Sequence, residues 1–294
     1  MNNKRRLFST LLCVAALTAG LFVSGCGSDK AGGIGSVVSS VVDGGSDEKA
    51  AAKLNTLIDA TNRFNGDNAT WGQNYADSLA KLKGGFQEGA IGRQPHYDTL
   101  KEALEQSKKE GSTFKEVDTE RDNVLNVLNE LVPTFKDLKA YDDSKAYMND
   151  GGAKGKELAA KYVAQVEKFD AAYAKFNDAL NKANTEQTKK QIEKLKKDGK
   201  KGYAAAMEST LRLTTLVENV EKAPKNADKQ AVEKELNEIQ TLLKSINNDR
   251  GEVLVNSYNS VVGSVRQVLT DANENNLNAV SYTHLRAHET EADL

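Results

Sequence analysis

The chain is poor in the residues that do chemistry alone or staple a fold from outside its core. Its 294 residues include two cysteines, three prolines, three histidines and one tryptophan. Nucleophilic catalysis needs an activated Ser or Cys beside a base, and no such arrangement is visible. No G-x-S-x-G motif stands on a strand–turn–helix pattern, and no Cys-x-x-Cys-His offers a haem attachment. The paired Glu-x-x-His of di-iron bundles is also missing. Neither sign of charge dominates. Residues 27–279 hold 36 Lys and Arg against 39 Asp and Glu, a net charge near −3 that argues against nucleic acid as a partner. Three prolines and an abundance of Ala, Lys, Leu, Glu, Asn and Gln favour long helices. No run of strand period competes with them.

The strongest positive signal lies in the first 26 residues. Lys4, Arg5 and Arg6 form a positive segment, and residues 7–23 (LFSTLLCVAALTAGLFV) are apolar with small residues interspersed. Such a run approaches the length of a membrane span, and the residues at its C-terminal end decide its role. Val23-Ser24-Gly25-Cys26 matches the bacterial lipobox: small residues admit the peptidase to the backbone, and the thiol of Cys26 takes the diacylglycerol. Residues 1–25 therefore read as a lipoprotein signal peptide and Cys26 as the lipidation site. Cys13 leaves with the signal, so no free thiol remains and no disulfide framework can form. Two or three acyl chains, palmitate among them, would hold the protein at the membrane by burying methylenes. Gly27 in place of Asp points to the periplasmic face of the outer membrane in a diderm. In a monoderm the anchor lies on the outer face of the cytoplasmic membrane.

Cys26 and residues up to 46 (GSDKAGGIGSVVSSVVDGGS after the Cys) read as a lipidated tether whose six glycines and five serines give an r.m.s. reach of roughly 25 Å. The other terminus reads differently. Residues 280–290, VSYTHLRAHET, match in register the translation of a transposase-library sequencing adapter, and the variable Glu291-Ala292 and the final Asp293-Leu294 fit its continuation. Residues 279–294 are accordingly expected to be an adapter artefact. The i, i+4 pair His284 and His288, with Glu289, resembles a zinc site and is set aside with that tail. His96 is then the one native histidine.

Between these ends, residues 47–278 read as one helical domain, large enough for one sizeable core or two small ones. Ser46 can cap a helix with Leu54, Leu57, Ile58, Thr61 and Phe64, closed by Gly66. A short helix with Trp71, Tyr75, Leu79 and Leu82 stops at Gly84-Gly85, and a loop leads on to His96. A third helix presents Leu100 and Leu104. A fourth runs from Phe114 to Val132, with a kink or break expected at Pro133 before Phe135 and Leu138. Three later runs show 4,3,4,3 spacing: Tyr162–Leu180, Val232–Ile246 and Leu254–Val268. Each lasts two or three heptads, which suits antiparallel packing within one chain. The fold class expected is all-α: an elongated antiparallel bundle with short coiled-coil-like seams. The three runs are expected to bury one another, with residues 47–65 closing against 254–268.

Candidate sites are few. The aromatic row Tyr162, Phe169, Tyr173, Phe176 reads as core rather than ligand groove, and His96 as a surface residue. Asp142-Asp143 reads as a solvated pair. The seven lysines of 189–201 (KKQIEKLKKDGKK) read as a helix C-terminus complementing the dipole and closed by Gly199, although attraction to anionic polymer or lipid headgroups would use the same residues. Asn55, Asn62, Asn65, Asn256 and Asn259 either face solvent or fix helix register. No catalytic residue, cofactor or metal site is expected.

The segments KLNTLIDATNRFNG (53–66) and VNSYNSVVGSVRQVL (255–269) set Asn among apolar positions. Behind a lipobox and separated by charged helices, they resemble the YiiG-like bacterial lipoproteins, a domain of unknown function. The resemblance covers roughly residues 50–275. It implies an envelope lipoprotein with a helical domain and supplies no catalytic residues. The function expected is a non-enzymatic binding or structural module for an envelope partner protein or polymer. The alternative is capture of a solute or metal by an all-helical lipoprotein. Imelysin-like metal binders use His-x-x-Glu for this, whereas His96 has Thr99 at +3.

Overall fold

The computed structural model describes residues 46–92, 95–110, 114–246 and 249–273, and the regular elements among them are helical. Cys26, the tether and the C-terminal segment with His284 and His288 lie outside the described residues. The helices are α1 (Ser46–Lys83), α2 (Tyr97–Lys109), α3 (Lys115–Asp143), α4 (Tyr147–Asp150), α5 (Ala153–Lys197), α6 (Lys201–Lys222), α7 (Lys229–Lys244) and α8 (Asp249–Asn273). A 3-10 turn, Pro224–Asn226, precedes α7. The all-α class is therefore established. No described helix is long and apolar enough to cross a membrane.

Two boundaries differ from the sequence reading, both towards continuity. Gly66 does not close the first helix: α1 runs 38 residues through it to Lys83. A glycine inside a helix costs about 1 kcal/mol, a cost that the buried face on its N-terminal side (Leu54, Leu57, Ile58, Phe64) and Tyr75 and Leu82 beyond it outweigh. Pro133 breaks nothing either; it sits inside α3 with its ring exposed. Leu128, Leu131, Val132, Thr134 and Leu138 around it are buried. Elsewhere the stops fall where glycine permits a left-handed residue. Beyond α1, Gly85 has φ +106°. Beyond α5, Gly199 has φ +74°, and Lys200 N–H donates to the Leu195 carbonyl at 2.9 Å while Gly199 N–H donates to Lys196 at 3.2 Å. That is the Schellman closure.

The chain divides into two compact units, residues Lys49–Ala183 and the residues from Asn184 onward, the division falling within α5. In the first, Phe64 of α1, Tyr97 of α2 and Phe169 and Tyr173 of α5 pack ring to ring, and α2 also packs on α3. In the second, α7 packs on α6 and α8. Its core joins Leu213, Val217 and Val220 of α6 to Val232, Leu236, Ile239 and Leu243 of α7 and Val261, Val265 and Val268 of α8.

This division corrects the expectation that the three 4,3,4,3 runs bury one another. The run 162–180 belongs with the first helix, whereas 232–246 and 254–268 belong with α6. A heptad-like stripe fixes which face of a helix is buried but names no partner, and loop lengths and side-chain shapes select it. The expected pairing of 47–65 with 254–268 rested on a shared Asn pattern, and only one of those asparagines is buried. Asn65 Oδ1 accepts from Tyr173 Oη at 3.0 Å, tying α1 to α5. Asn259 is exposed and accepts from Gln240 of α7 at 3.1 Å, and Asn256 is exposed.

Candidate functional site

In the Lys49–Ala183 unit the aromatic row of α5 is core. Tyr162 and Phe176 are fully buried, and Phe169 is 2% exposed. Phe169 meets Tyr97 edge-on at 5.0 Å, stacks on Tyr173 at 5.2 Å and meets Phe64 at 5.8 Å, geometries in which ring edges and faces attract. The phenol groups of Tyr75, Tyr97 and Tyr162, all buried, form a polar cluster. Tyr75 Oη and Tyr97 Oη lie 2.9 Å apart, and the Tyr162 hydroxyl joins them by hydrogen bonds. Burial pushes all three phenols up, so they stay neutral and act as hydrogen-bond donors and acceptors.

Asp170, next to Phe169 on α5, adds negative charge that all three phenols feel. Burial pushes its own carboxyl up to about 7. Lys83 opposes that rise and Glu167 adds to it, and these two are themselves paired at 2.9 Å. The sequence reading did not single out Asp170, Tyr75 or Tyr97. The available signal was a charged residue directly after a seam position, in KFDAAY, where the helical turn leaves it half-buried.

A cavity of about 410 Å³ opens at the start of α2, bordered by Pro95, His96, Tyr97, Asp98, Phe135 and Lys139 among others. His96 is exposed at the N-cap position and makes no capping bond with its side chain. Asp98 faces Lys136 at 3.6 Å, and Lys139 is held by Asp143 at 2.8 Å. Nowhere among the described residues do three His, Cys, Asp or Glu side chains converge as a metal would require. Asp143, half of the Asp142-Asp143 pair, is thus an exposed ion-pair partner.

The larger concavity, about 820 Å³, is a broad open groove on the other unit, along α6 and α7. Arg212, Glu233, Lys234, Asn237, Glu238 and Thr241 border it. Three of its four charged side chains, Arg212, Glu233 and Glu238, are held in place. Arg212 of α6 donates to both oxygens of Glu235 at 2.7 and 2.8 Å and to Glu238 at 2.5 Å. Arg266 of α8 donates to Glu233 at 2.7–3.1 Å. The arginine hydrogen bonds hold Glu233 and Glu235 below the usual carboxylate range. Bidentate geometry leaves these side chains little rotamer freedom, so the groove presents a fixed pattern of both signs.

Within the same unit lies a further polar feature that the sequence reading missed. Ser209 and Thr214 of α6 and Thr188 of α5 are buried, and their hydroxyls have no hydrogen-bond partner among the described residues. Thr210 of α6 and Tyr258 of α8 pair with each other through their hydroxyls. Small hydroxyl residues in a helix read as neutral in period, so their burial was not visible in the pattern.

The molecule is thus an all-α protein with a charged open groove along α6 and α7. The chain belongs to the DUF3829 family, described as a protein of unknown function, whose model matches residues 48–289. Neither a curated protein nor a solved structure matches it.

Proposed function

We propose that the chain is a lipid-anchored protein of the cell envelope, a YiiG-like lipoprotein whose helical domain is a non-enzymatic binding module for a partner protein. Residues 1–25 direct export and Cys26 carries the acyl chains, palmitate included; the lipobox supports this. The anchor places the domain on the periplasmic face of the outer membrane or, in a monoderm, on the outer face of the cytoplasmic membrane.

The observation that carries the binding reading is the α6–α7 groove. It is broad and open, and it is lined by charged groups of both signs locked by Arg212 and Arg266. Fixed, alternating charges on an open surface favour orientation and selection of a partner over turnover, because complementary potentials give specificity and on-rate. The groups whose ionisation burial shifts most, Asp170 and the buried tyrosines Tyr75, Tyr97, Tyr162, Tyr173 and Tyr258, support the same view. Apart from Tyr97 at the wall of the smaller cavity, they line neither concavity.

A photo-crosslinking residue placed at Asn237 or Thr241 in the native envelope tests this. The proposal expects a discrete crosslinked protein that is absent when the same residue is placed at Lys154. A groove that crosslinks nothing, or a purified chain that turns over an envelope substrate, would refute it.

A further inference from the structure

The lysines of residues 189–201 are too many, and wrongly placed, to be explained by the helix dipole. Dipole complementation acts within the last turn of a helix. In α5 that turn holds Lys194, Lys196 and Lys197, and Lys196 is already paired with Glu208 at 2.9 Å and Glu193 at 3.5 Å. Lys189 and Lys190 lie about two turns earlier. Lys200 and Lys201 lie beyond Gly199, at the N-cap and first residue of α6, where the dipole disfavours a cation. No acidic residue in the first turn of α6 offsets them.

Lys189, Lys190, Lys194, Lys197 and Lys201 are exposed and Lys200 is half-exposed. None of the six is paired with a carboxylate among the described residues. Cations elsewhere on the surface do find partners, such as Lys83 with Glu167, Lys108 with Asp122 and Lys182 with Glu116. Like charges on neighbouring helical positions repel, so the patch costs stability wherever nothing anionic faces it. It stands on a chain whose net charge is −2.

We infer that this lysine cluster at the α5–α6 turn is a docking surface for the anionic phospholipid headgroups of the membrane. The residues are all Lys, with no Arg. Lys is a hydrated point charge without the planar fork that reads a single phosphate or carboxylate, which suits a diffuse anionic surface. Between the lysines, the exposed side chains are Glu193 and Asp198; no exposed aromatic offers a face on which a sugar polymer would stack. The choice of membrane rests on the lipid anchor proposed at Cys26. Acyl chains confine the domain near the bilayer, and a polybasic surface supplies the second signal that makes such anchoring firm.

The test uses the purified full chain carrying Cys26→Ser, which removes any acyl contribution, and three versions of it. One has the lysines intact, one carries Lys189→Gln, Lys190→Gln, Lys194→Gln and Lys197→Gln, and one carries Lys156→Gln, Lys161→Gln, Lys168→Gln and Lys175→Gln. The last removes the same charge elsewhere on α5, and residues 1–25 contribute equally to all three. Co-flotation is read with vesicles rich in phosphatidylglycerol and with pure phosphatidylcholine. All eight substituted lysines are exposed, and equal thermal midpoints verify the fold.

The first quadruple variant should lose about tenfold or more of its partition onto the anionic vesicles only. That loss should vanish near 1 M salt, where the Debye length is about 3 Å. Equal losses in both quadruple variants would overturn the inference, as would no loss in either. A loss confined to soluble polyphosphate, with vesicle binding unchanged, would assign the patch to a polymer and overturn the membrane. Crosslinking at Asn237 reports on the groove independently of these outcomes.

Discussion

Phe169 and its neighbour Asp170 show how one step along a helix separates a packing residue from a titrating one. Phe169 is wedged among three rings, so Phe169→Ala leaves a cavity that the rigid neighbours cannot collapse into. The expected cost is about 3–5 kcal/mol, read as a shift of the urea midpoint. Loss of binding at an unchanged midpoint would instead make the aromatic row a ligand groove. This position was legible in the sequence, because the 4,3,4,3 spacing put it on the buried stripe. Asp170 was not, since burial of a residue flanking the stripe depends on what packs beside it.

The fold holds the Asp170 carboxyl more readily protonated than the unfolded chain does, where Asp titrates near about 3.9. Between about 4 and about 7 the folded state therefore binds the extra proton, and stability falls as pH rises through that window. Asp170→Asn removes the loss. It should raise the unfolding free energy by about 1–3 kcal/mol at pH 8, after allowing for partial exposure, and leave it unchanged near pH 4. Denaturant titrations at the two pH values check this. Gly155 is another position whose role only the structure shows: a Cβ there would stand 2.5 Å from Phe86 Cγ and 2.6 Å from Tyr141 Cε1. The glycine is required by close approach, which no spacing pattern announces.

At the scale of elements, the sequence located helical period and glycine stops well and misjudged continuity. Gly84-Gly85 and Gly199 end helices because a left-handed residue closes the carbonyl end. Gly66 and Pro133 look like stops by the same local logic, yet they are overridden because buried residues on both sides keep their helix packed. Burial of several large side chains outweighs about 1 kcal/mol for Gly or about 3 kcal/mol for Pro. The start of α7 was not legible in the spacing, although Asp228 accepts from Gln230 N–H at 3.0 Å and Ala231 N–H at 3.2 Å. Asp228→Ala should cost about 1 kcal/mol and should loosen hydrogen exchange first in residues 229–232. An unchanged exchange pattern would mean that α7 is set by its packing on α6 and α8 alone.

For the whole molecule, the all-α class was legible because period 3.6 is a property of each helix by itself. The grouping of helices was not. The runs 162–180, 232–246 and 254–268 share one spacing, and spacing carries no information about which stripe meets which. The structure assigns the first to an aromatic core with α1 and the other two to an aliphatic core with α6. The groove was equally hidden, since its charges come from Arg212 of α6 and from Glu233, Lys234 and Glu238 of α7, which the fold alone brings side by side. The proposed function joins that groove to an anchor encoded at the other end of the chain, and the anchor admits the most direct test. Cells expressing the chain are labelled with a palmitate analogue, alongside cells expressing Cys26→Ser. The account predicts a labelled, processed, membrane-retained protein in the first and an unlabelled, uncleaved precursor in the second. Normal processing and membrane retention of the Cys26→Ser chain, without label, would contradict it.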